Sequence, residues 1–288
     1  MLKALTTGGP ASPMPGAPFA TWTMGDDVIT RVPALRDNYI WLFGMAGSSL
    51  TVVVDPGDAE TVEKALDQTG STLAAILLTH HHADHVGGVA RLCQRFPGIP
   101  VFGPAVESIT GVSQPLSGGE TLSVPGLATP LRVLAVPGHT VGHLAYYLPG
   151  GAGSGRPGFL FCGDTLFGFG CGRLFEGTAA QMSASLTRLA ALPDDTLVFC
   201  AHEYTLLNLP FAEAVDPDNP ALVVRGDAVR RLRARGEATV PQRLDQERAT
   251  NPFLRCEEKA VAAAVADVAP DGDPVAVFAA LREWRNRW

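Results

Sequence analysis

No apolar run in this 288-residue chain approaches the roughly 20 residues needed to span a bilayer, so no transmembrane helix is expected. The first 25 residues, MLKALTTGGPASPMPGAPFATWTMG, lack the continuous apolar core of a secretory signal and read as a flexible extension rich in Gly, Pro and Ala. Cysteine is sparse. Cys93, Cys162, Cys171, Cys200 and Cys256 are odd in number and far apart, which excludes a disulfide framework or a C-x-x-C centre and fits a reducing, cytoplasmic setting. Positive charge is in deficit, with 22 Lys and Arg against 29 Asp and Glu and a net charge of −7; general nucleic-acid binding is therefore not expected. The basic run RRLRAR (230–235) has no interleaved aromatics and reads as a solvated helix face.

What remains is a globular composition, 46% hydrophobic and 18% charged, long enough for one large domain or a main domain with an appendage. Histidine is the informative residue. The chain has seven, and four of them fall in LLTHHHADHVGG (77–88).

The apolar runs explain how this motif gains partners. LAAILLTH (73–80) ends at His80, LRVLAVPGHT (131–140) at His139, GFLFCGDT (158–165) at Asp164, and DTLVFCAHEY (195–204) at His202. Short apolar runs bounded by turn residues predict buried strands. A fifth, LTVVVDPGD (50–58), ends at Asp55. Four strands in succession deliver a group that can bind metal, so one rim of a sheet should be lined with imidazole and carboxylate. After the histidines, Val89, Leu92, Cys93 and Phe96 fall at helical spacing and Pro97-Gly98 ends the run. Alternating strands and helices to about residue 205 predict an α/β domain covering 26–205. From 206 to 288 the chain is helix-like with no strand signal, which predicts a small helical C-terminal domain.

Within H80-H81-H82-A83-D84-H85, extended backbone points His80 and His82 one way and His81 the other. With His139, Asp164 and His202 the inventory is five His and two Asp, more than one tetrahedral ion accepts. It suits two metals about 3.5–4 Å apart, bridged by a carboxylate and a hydroxide. The expected assignment is His80, His82 and His139 on one metal, Asp84, His85 and His202 on the other, and Asp164 bridging. Nitrogen and oxygen donors fit zinc, iron or manganese, so the ligand set does not choose the ion; two divalent ions, zinc before iron or manganese, are expected. His81 is expected to pack or hydrogen-bond, and His143 to stand behind the ligands or be structural. Asp55 is either a turn residue or the group that orients a ligand imidazole.

H-x-H-x-D-H followed by later His, Asp and His resembles the metallo-β-lactamase superfamily, which implies an αββα sandwich with metals at the edge of its two sheets. PALRDNYIWLF (33–43), GHTVGH (138–143), GDTLFGFGCGRLFEG (163–177), HEYTLLN (202–208) and NPFLR (251–255) further resemble the glyoxalase II, or hydroxyacylglutathione hydrolase, family. That likeness runs from about residue 28 to the C-terminus. It implies hydrolysis of S-(2-hydroxyacyl)glutathione, typically the S-D-lactoyl ester, by a dinuclear-metal-bound hydroxide in methylglyoxal detoxification. It also implies that Asp84 and Asp164 serve catalysis and that Arg173, Tyr204, Arg255 and Lys259 contact the glutathione thioester. Two positions depart from the family pattern: Arg173 stands where Lys is frequent and Phe175 where Tyr is frequent. The rival readings are an iron-dependent persulfide dioxygenase using one metal, another hydrolase of the same fold, and a non-catalytic metal module. The chain is expected to be a monomer or a weak homo-oligomer, with no membrane partner.

Overall fold

Strands form here where large apolar residues alternate between two buried surfaces. The computed structural model describes residues 19–151 and 155–288. A seven-stranded sheet takes β1 (Ala20–Met24), β2 (Asp27–Ala34), β3 (Asn38–Met45), β4 (Leu50–Val54), β5 (Thr72–Leu77), β6 (Val101–Pro104) and β7 (Gln114–Leu116) in that spatial order. Its first four strands are antiparallel, and the pairs from β4 to β7 are parallel. A six-stranded sheet takes β8 (Thr121–Leu122), β9 (Leu131–Ala135), β10 (Leu144–Leu148) and β11 (Phe159–Gly163). A small hairpin, β12 (Leu166–Phe167) with β13 (Gly170–Cys171), follows outside it. β14 (Leu197–Cys200) then pairs parallel with β11, and β15 (Gln242–Arg243) pairs antiparallel with β14.

Side-chain parity divides the apolar residues. Trp41, Phe43, Val52, Val54, Ala75 and Leu77 face the second sheet, where Tyr146, Phe159, Phe161 and Phe199 meet them. Phe161 and Phe199 stack with centroids 5.1 Å apart. The odd-facing partners Ile40, Leu42, Val53 and Ile76 pack outward beneath α1 (Ala59–Thr69) and α3 (Val89–Arg95), which supply Val62, Leu66 and Leu92. The one-turn α2 (Ala83–Val86) lies between those two helices in sequence, and α4 (Ala179–Ala190) adds Met182, Leu186 and Leu189 to the apolar cluster that includes the second sheet. Two sheets with helices outside them form the αββα sandwich expected from the motif.

The C-terminal region is helical: α5 (Thr205–Val215), α6 (Pro220–Ala234), α7 (Leu244–Thr250), α8 (Lys259–Ala263) and α9 (Pro274–Arg287). Leu209, Ala212, Leu222 and Val229 form a small cluster of their own with Phe169. Phe211, Phe253, Val261, Phe278 and Leu281 belong to the same apolar cluster as the inter-sheet residues.

Two expectations are corrected. The flexible extension expected over 1–25 lies, for residues 1–18, outside the described residues; Ala20–Met24, however, is an edge strand registered along β2, because Trp22 finds a buried place. The region after 206 was expected to hold no strand, yet Gln242–Arg243 forms β15. Those polar residues carry no strand pattern; they pair because the free edge of β14 is beside them. Among the described residues, no helix is long and apolar enough to cross a membrane.

Candidate metal centre

Four strand ends meet on one rim. β5 ends at Leu77, and the chain then leads through His80–His82 into α2, with His82 in extended backbone. His80 is completely buried, and His82 is partly open. His139 follows β9, Asp164 follows β11 and His202 follows β14. The expected parity of the motif holds: His80 Nε2 and His82 Nδ1 lie 2.9 Å apart, while His81 turns away to Glu107 and Glu176.

The metal-donor atoms converge in two groups, and a third triad of His80, His85 and Asp164 spans them. His80, His82 and His139 converge, with His139 Nε2 3.0 Å from His82 Nδ1. Asp84, His85 and His202 converge likewise, Asp84 Oδ2 lying 3.6 Å from His85 Nε2 and 3.5 Å from His202 Nε2. Asp164 stands between them. Its Oδ2 is 3.5 Å from His139 Nε2, and its Oδ1 is 3.5 Å from His85 Nε2 and 3.3 Å from His202 Nε2. These spacings are near the roughly 3.3 Å edge of a tetrahedron with metal–nitrogen bonds of about 2.0 Å.

Four of the five imidazoles are aimed by a hydrogen bond at the other nitrogen, which fixes the tautomer and ring orientation. Thr79 Oγ1 lies 3.0 Å from His80 Nδ1 and donates to Asp55 Oδ2, so His80 is left to donate from Nδ1. His85 Nδ1 donates to Asp55 Oδ2 at 3.0 Å. His139 Nδ1 donates to the Arg173 carbonyl oxygen at 2.8 Å, and His202 Nδ1 to Asp37 Oδ1 at 2.8 Å. The Nε2 of each of these four is thereby left facing inward, whereas His82 presents Nδ1. Asn38 Nδ2 donates to Asp84 Oδ2 at 3.0 Å. His143 lies flat against His80, centroids 4.6 Å apart, and its Nε2 accepts from the Asp164 amide at 3.2 Å.

Charge is arranged to match. Burial and the neighbouring imidazoles His85 and His143 hold His80 well below the usual histidine range, so its lone pair is free. Burial would lower His202, but the Asp164 and Asp37 carboxylates outweigh it and raise it to about 10. Burial would raise Asp164, but His202 and His85 hold its carboxyl far below the carboxylate range.

Two buried donor atoms, His85 Nε2 and Asp164 Oδ1, have no hydrogen-bond partner. Buried polar groups are nearly always satisfied, and a cation between these two would satisfy both. The residues therefore fit a pair of divalent ions, and the two donor groups sharing Asp164 point to a dinuclear site.

The rim is packed too tightly for larger residues at two glycines. A Cβ at Gly57 would fall on the Asp84 carbonyl oxygen, and one at Gly172 on that of Asp164. Turns from other strands thus buttress both carboxylate-bearing loops.

The residues expected to contact substrate are less uniformly placed. Tyr204 stacks on His202, centroids 4.6 Å apart at 6°. Arg173 is on the rim through its carbonyl and exposes its side chain. Phe175 is 62% exposed, and its ring meets those of His82 and His139 edge-on at 5.5 and 5.2 Å. Arg255 pairs with Asp216 at 3.3 Å, and Lys259 is exposed at the start of α8. Neither forms a hydrogen bond or ion pair with the metal donors among the described residues. The basic run has carboxylate partners, Arg230 with Glu213 and Arg235 with Glu237.

Three residues at the site had no assigned part in the sequence reading. Asp37 and Asn38 hold His202 and Asp84 from the β2–β3 turn. Glu107 accepts from His81, from Thr140 Oγ1 and from the Gly142 amide, tying the His80–His85 loop to the His139 loop. The RDNY and GHTVGH stretches marked two of these loops, but not the pairings.

Comparison with known proteins agrees with this geometry. Residues 35–108 match the family model described as the metallo-beta-lactamase superfamily, and residues 203–288 match that of the hydroxyacylglutathione hydrolase C-terminus. A protein from Dechloromonas aromatica named hydroxyacylglutathione hydrolase is 53% identical, over 90% of this chain and 98% of that one. One of the same name from Photobacterium profundum is 50% identical, over 90% and 99%. Among solved structures, ETHE1 from Myxococcus xanthus superimposes with a TM-score of 0.60 at 22% identity, covering 93% of this chain and 91% of that one; this likeness bears on the fold alone. The chain belongs to the hydroxyacylglutathione hydrolase family, within the metallo-β-lactamase superfamily.

Proposed function

We propose that this protein is a metal-dependent thioester hydrolase that converts S-(2-hydroxyacyl)glutathione, the S-D-lactoyl ester in particular, to glutathione and a 2-hydroxy acid. In the cytoplasm this serves methylglyoxal detoxification. The observation that carries the reading is a double donor set sharing Asp164, in a chain about half identical to relatives of that name over nearly their whole length.

His80, His82 and His139 would hold one ion, Asp84, His85 and His202 the other, with Asp164 reaching both. Zinc is the first choice for this imidazole-rich set, and iron or manganese would also accept it. When bound, such a pair acidifies a water molecule and polarises the thioester carbonyl.

The remaining work falls to the chain. Asp37, Asp55 and the Arg173 carbonyl keep three imidazoles aimed inward, so little reorganisation is needed during turnover. In this reading Asp84, anchored by Asn38, would orient the attacking water and accept its proton. A C–O bond forms at the carbonyl carbon and the C–S bond breaks. The departing thiolate belongs to a thiol of pKa about 8.5, so no strong acid is needed to expel it. Arg173, Arg255 and Lys259 supply cations for the glutathione carboxylates, and Tyr204 a hydroxyl beside His202. Phe175 closes the mouth with an apolar ring where a hydroxyl contact is lost.

The one-iron persulfide dioxygenase reading is not favoured. It would leave Asp84, His85 and His202 converging without a shared task. The deciding experiment follows the loss of thioester absorbance when S-D-lactoylglutathione is added to protein carrying close to two ions per chain. Absence of turnover by the fully metallated protein rejects this function, and a content of one iron per chain returns the dioxygenase.

A further inference from the structure

A cavity of about 1010 Å³ lies where β1 and β2 of one sheet and β14 and β15 of the other meet α6 and α7. None of the metal donors lines it. Trp22, Val224, Ala228, Leu232 and Val240 make much of its wall apolar. Val224 is 70% exposed there. Set into this wall is Arg31, 3% exposed.

Arg31 is an unusual cation. Its Nη1 donates to the Val240 carbonyl oxygen at 3.3 Å, and its buried Nε has no partner. Trp22 and Tyr39 lie under the guanidinium, centroids at 5.6 and 5.1 Å. No carboxylate reaches it within ion-pair distance among the described residues. Glu203 acts on it only from further away, and is already engaged by the Tyr39 hydroxyl at 2.7 Å and the Thr239 amide at 2.9 Å. The other arginines on the wall are matched: Arg225 with Glu247, Arg235 with Glu237, and Arg243 with Asp245. A desolvated, unpaired charge is costly, and guanidinium pairs best with a planar carboxylate. The volume is at the upper end of the roughly 300–1,000 Å³ typical of small-ligand sites.

We propose that this cavity binds a small organic anion with an apolar body. Its carboxylate pairs with Arg31, and its hydrocarbon lies along Trp22, Val224 and Leu232. The site is separate from the hydrolytic centre.

Calorimetric titration of the full-length, metal-loaded protein with decanoate tests this, with 1-decanol as the uncharged counterpart. Decanoate is expected to bind with a dissociation constant tighter than about 1 mM, and 1-decanol at least about tenfold more weakly. Arg31→Gln should weaken decanoate binding by about tenfold or more, and Val224→Trp, which fills the open wall, should do the same. Both variants should keep turnover of S-D-lactoylglutathione. Equal affinity for decanoate and 1-decanol, no binding of decanoate, or an unchanged affinity in Val224→Trp would each overturn the proposal. If Arg31→Gln fails to fold, the alcohol comparison and Val224→Trp still decide. Failure of hydrolysis with intact decanoate binding would remove the proposed function and leave this site standing.

Discussion

The metal rim and the surface assigned to glutathione are built on opposite principles. On the rim, His80, His85, His139, Asp164 and His202 are all at least 93% buried, and each imidazole has its second nitrogen engaged. On the other surface, Arg173 and Lys259 are exposed, and Arg255 is partly buried against Asp216. A coordination site tolerates errors of only a few tenths of an ångström, so its donors need fixed rotamers and fixed tautomers. A long cation meeting a flexible carboxylate needs only to be within reach, and it acts through water-screened charge. The difference teaches where substitutions should be severe and where they should be graded.

The sharpest break in that comparison is Asp164→Ala. Removing the carboxylate shared by both donor groups should lower turnover by ~10³-fold or more and reduce the metal content below two ions per chain. Activity and metal content are measured on the same sample, and a variant keeping both would end the bridging role.

Acidity probes the same rim without mutation. His202 is raised to about 10 in the metal-free protein. Its proton stabilises that fold fully below the unfolded histidine value of about 6.5, and the contribution is lost as pH rises through about 10. Metal loading runs the other way, because Nε2 must shed the proton first. Apparent affinity should climb about tenfold per pH unit from pH 6.5 to 9, as followed by chelator competition. A flat profile would show that His202 is already neutral without metal.

Substitution one step behind the donors should be milder. Asp37→Asn removes the acceptor that aims His202, and metal affinity should fall about 10–100-fold. Chelator competition reads it directly. An unchanged affinity would mean that packing alone, including the Tyr204 stack, sets the ring.

Smallest of all should be the change on the substrate surface. Arg255→Ala should raise KM about tenfold with a lesser change in kcat, the pattern of lost ground-state binding. Steady-state kinetics with S-D-lactoylglutathione distinguishes this from an unchanged KM, which would leave Arg255 only its pairing with Asp216.

The donors were legible because each follows a strand, and a strand can be read from a run of a few residues. His80, His139, Asp164 and His202 all stand within a few residues of an apolar run. What aims them was not legible to the same degree. Asp37 and His202 are 165 residues apart, and His81 and Glu107 are 26 apart on different loops. No local periodicity joins such pairs; only the packing of two sheets brings them together. The same holds for β15, whose two polar residues become a strand only because β14 offers an unpaired edge. Residues with two possible roles were also resolved by packing. Asp55 proved to be both turn and anchor, with φ of 50° and hydrogen bonds to Thr79 and His85.

By itself, the sequence determined the α/β order, the faces of the strands and the chemical identity of the donors, because side-chain alternation and ligand type are properties of short stretches. Tertiary structure alone decided how closely the donors converge, which carboxylates hold the imidazoles, and that an unpaired Arg31 faces a cavity. Those are distances between remote parts of the chain, and they exist only once apolar burial has brought the sheets face to face.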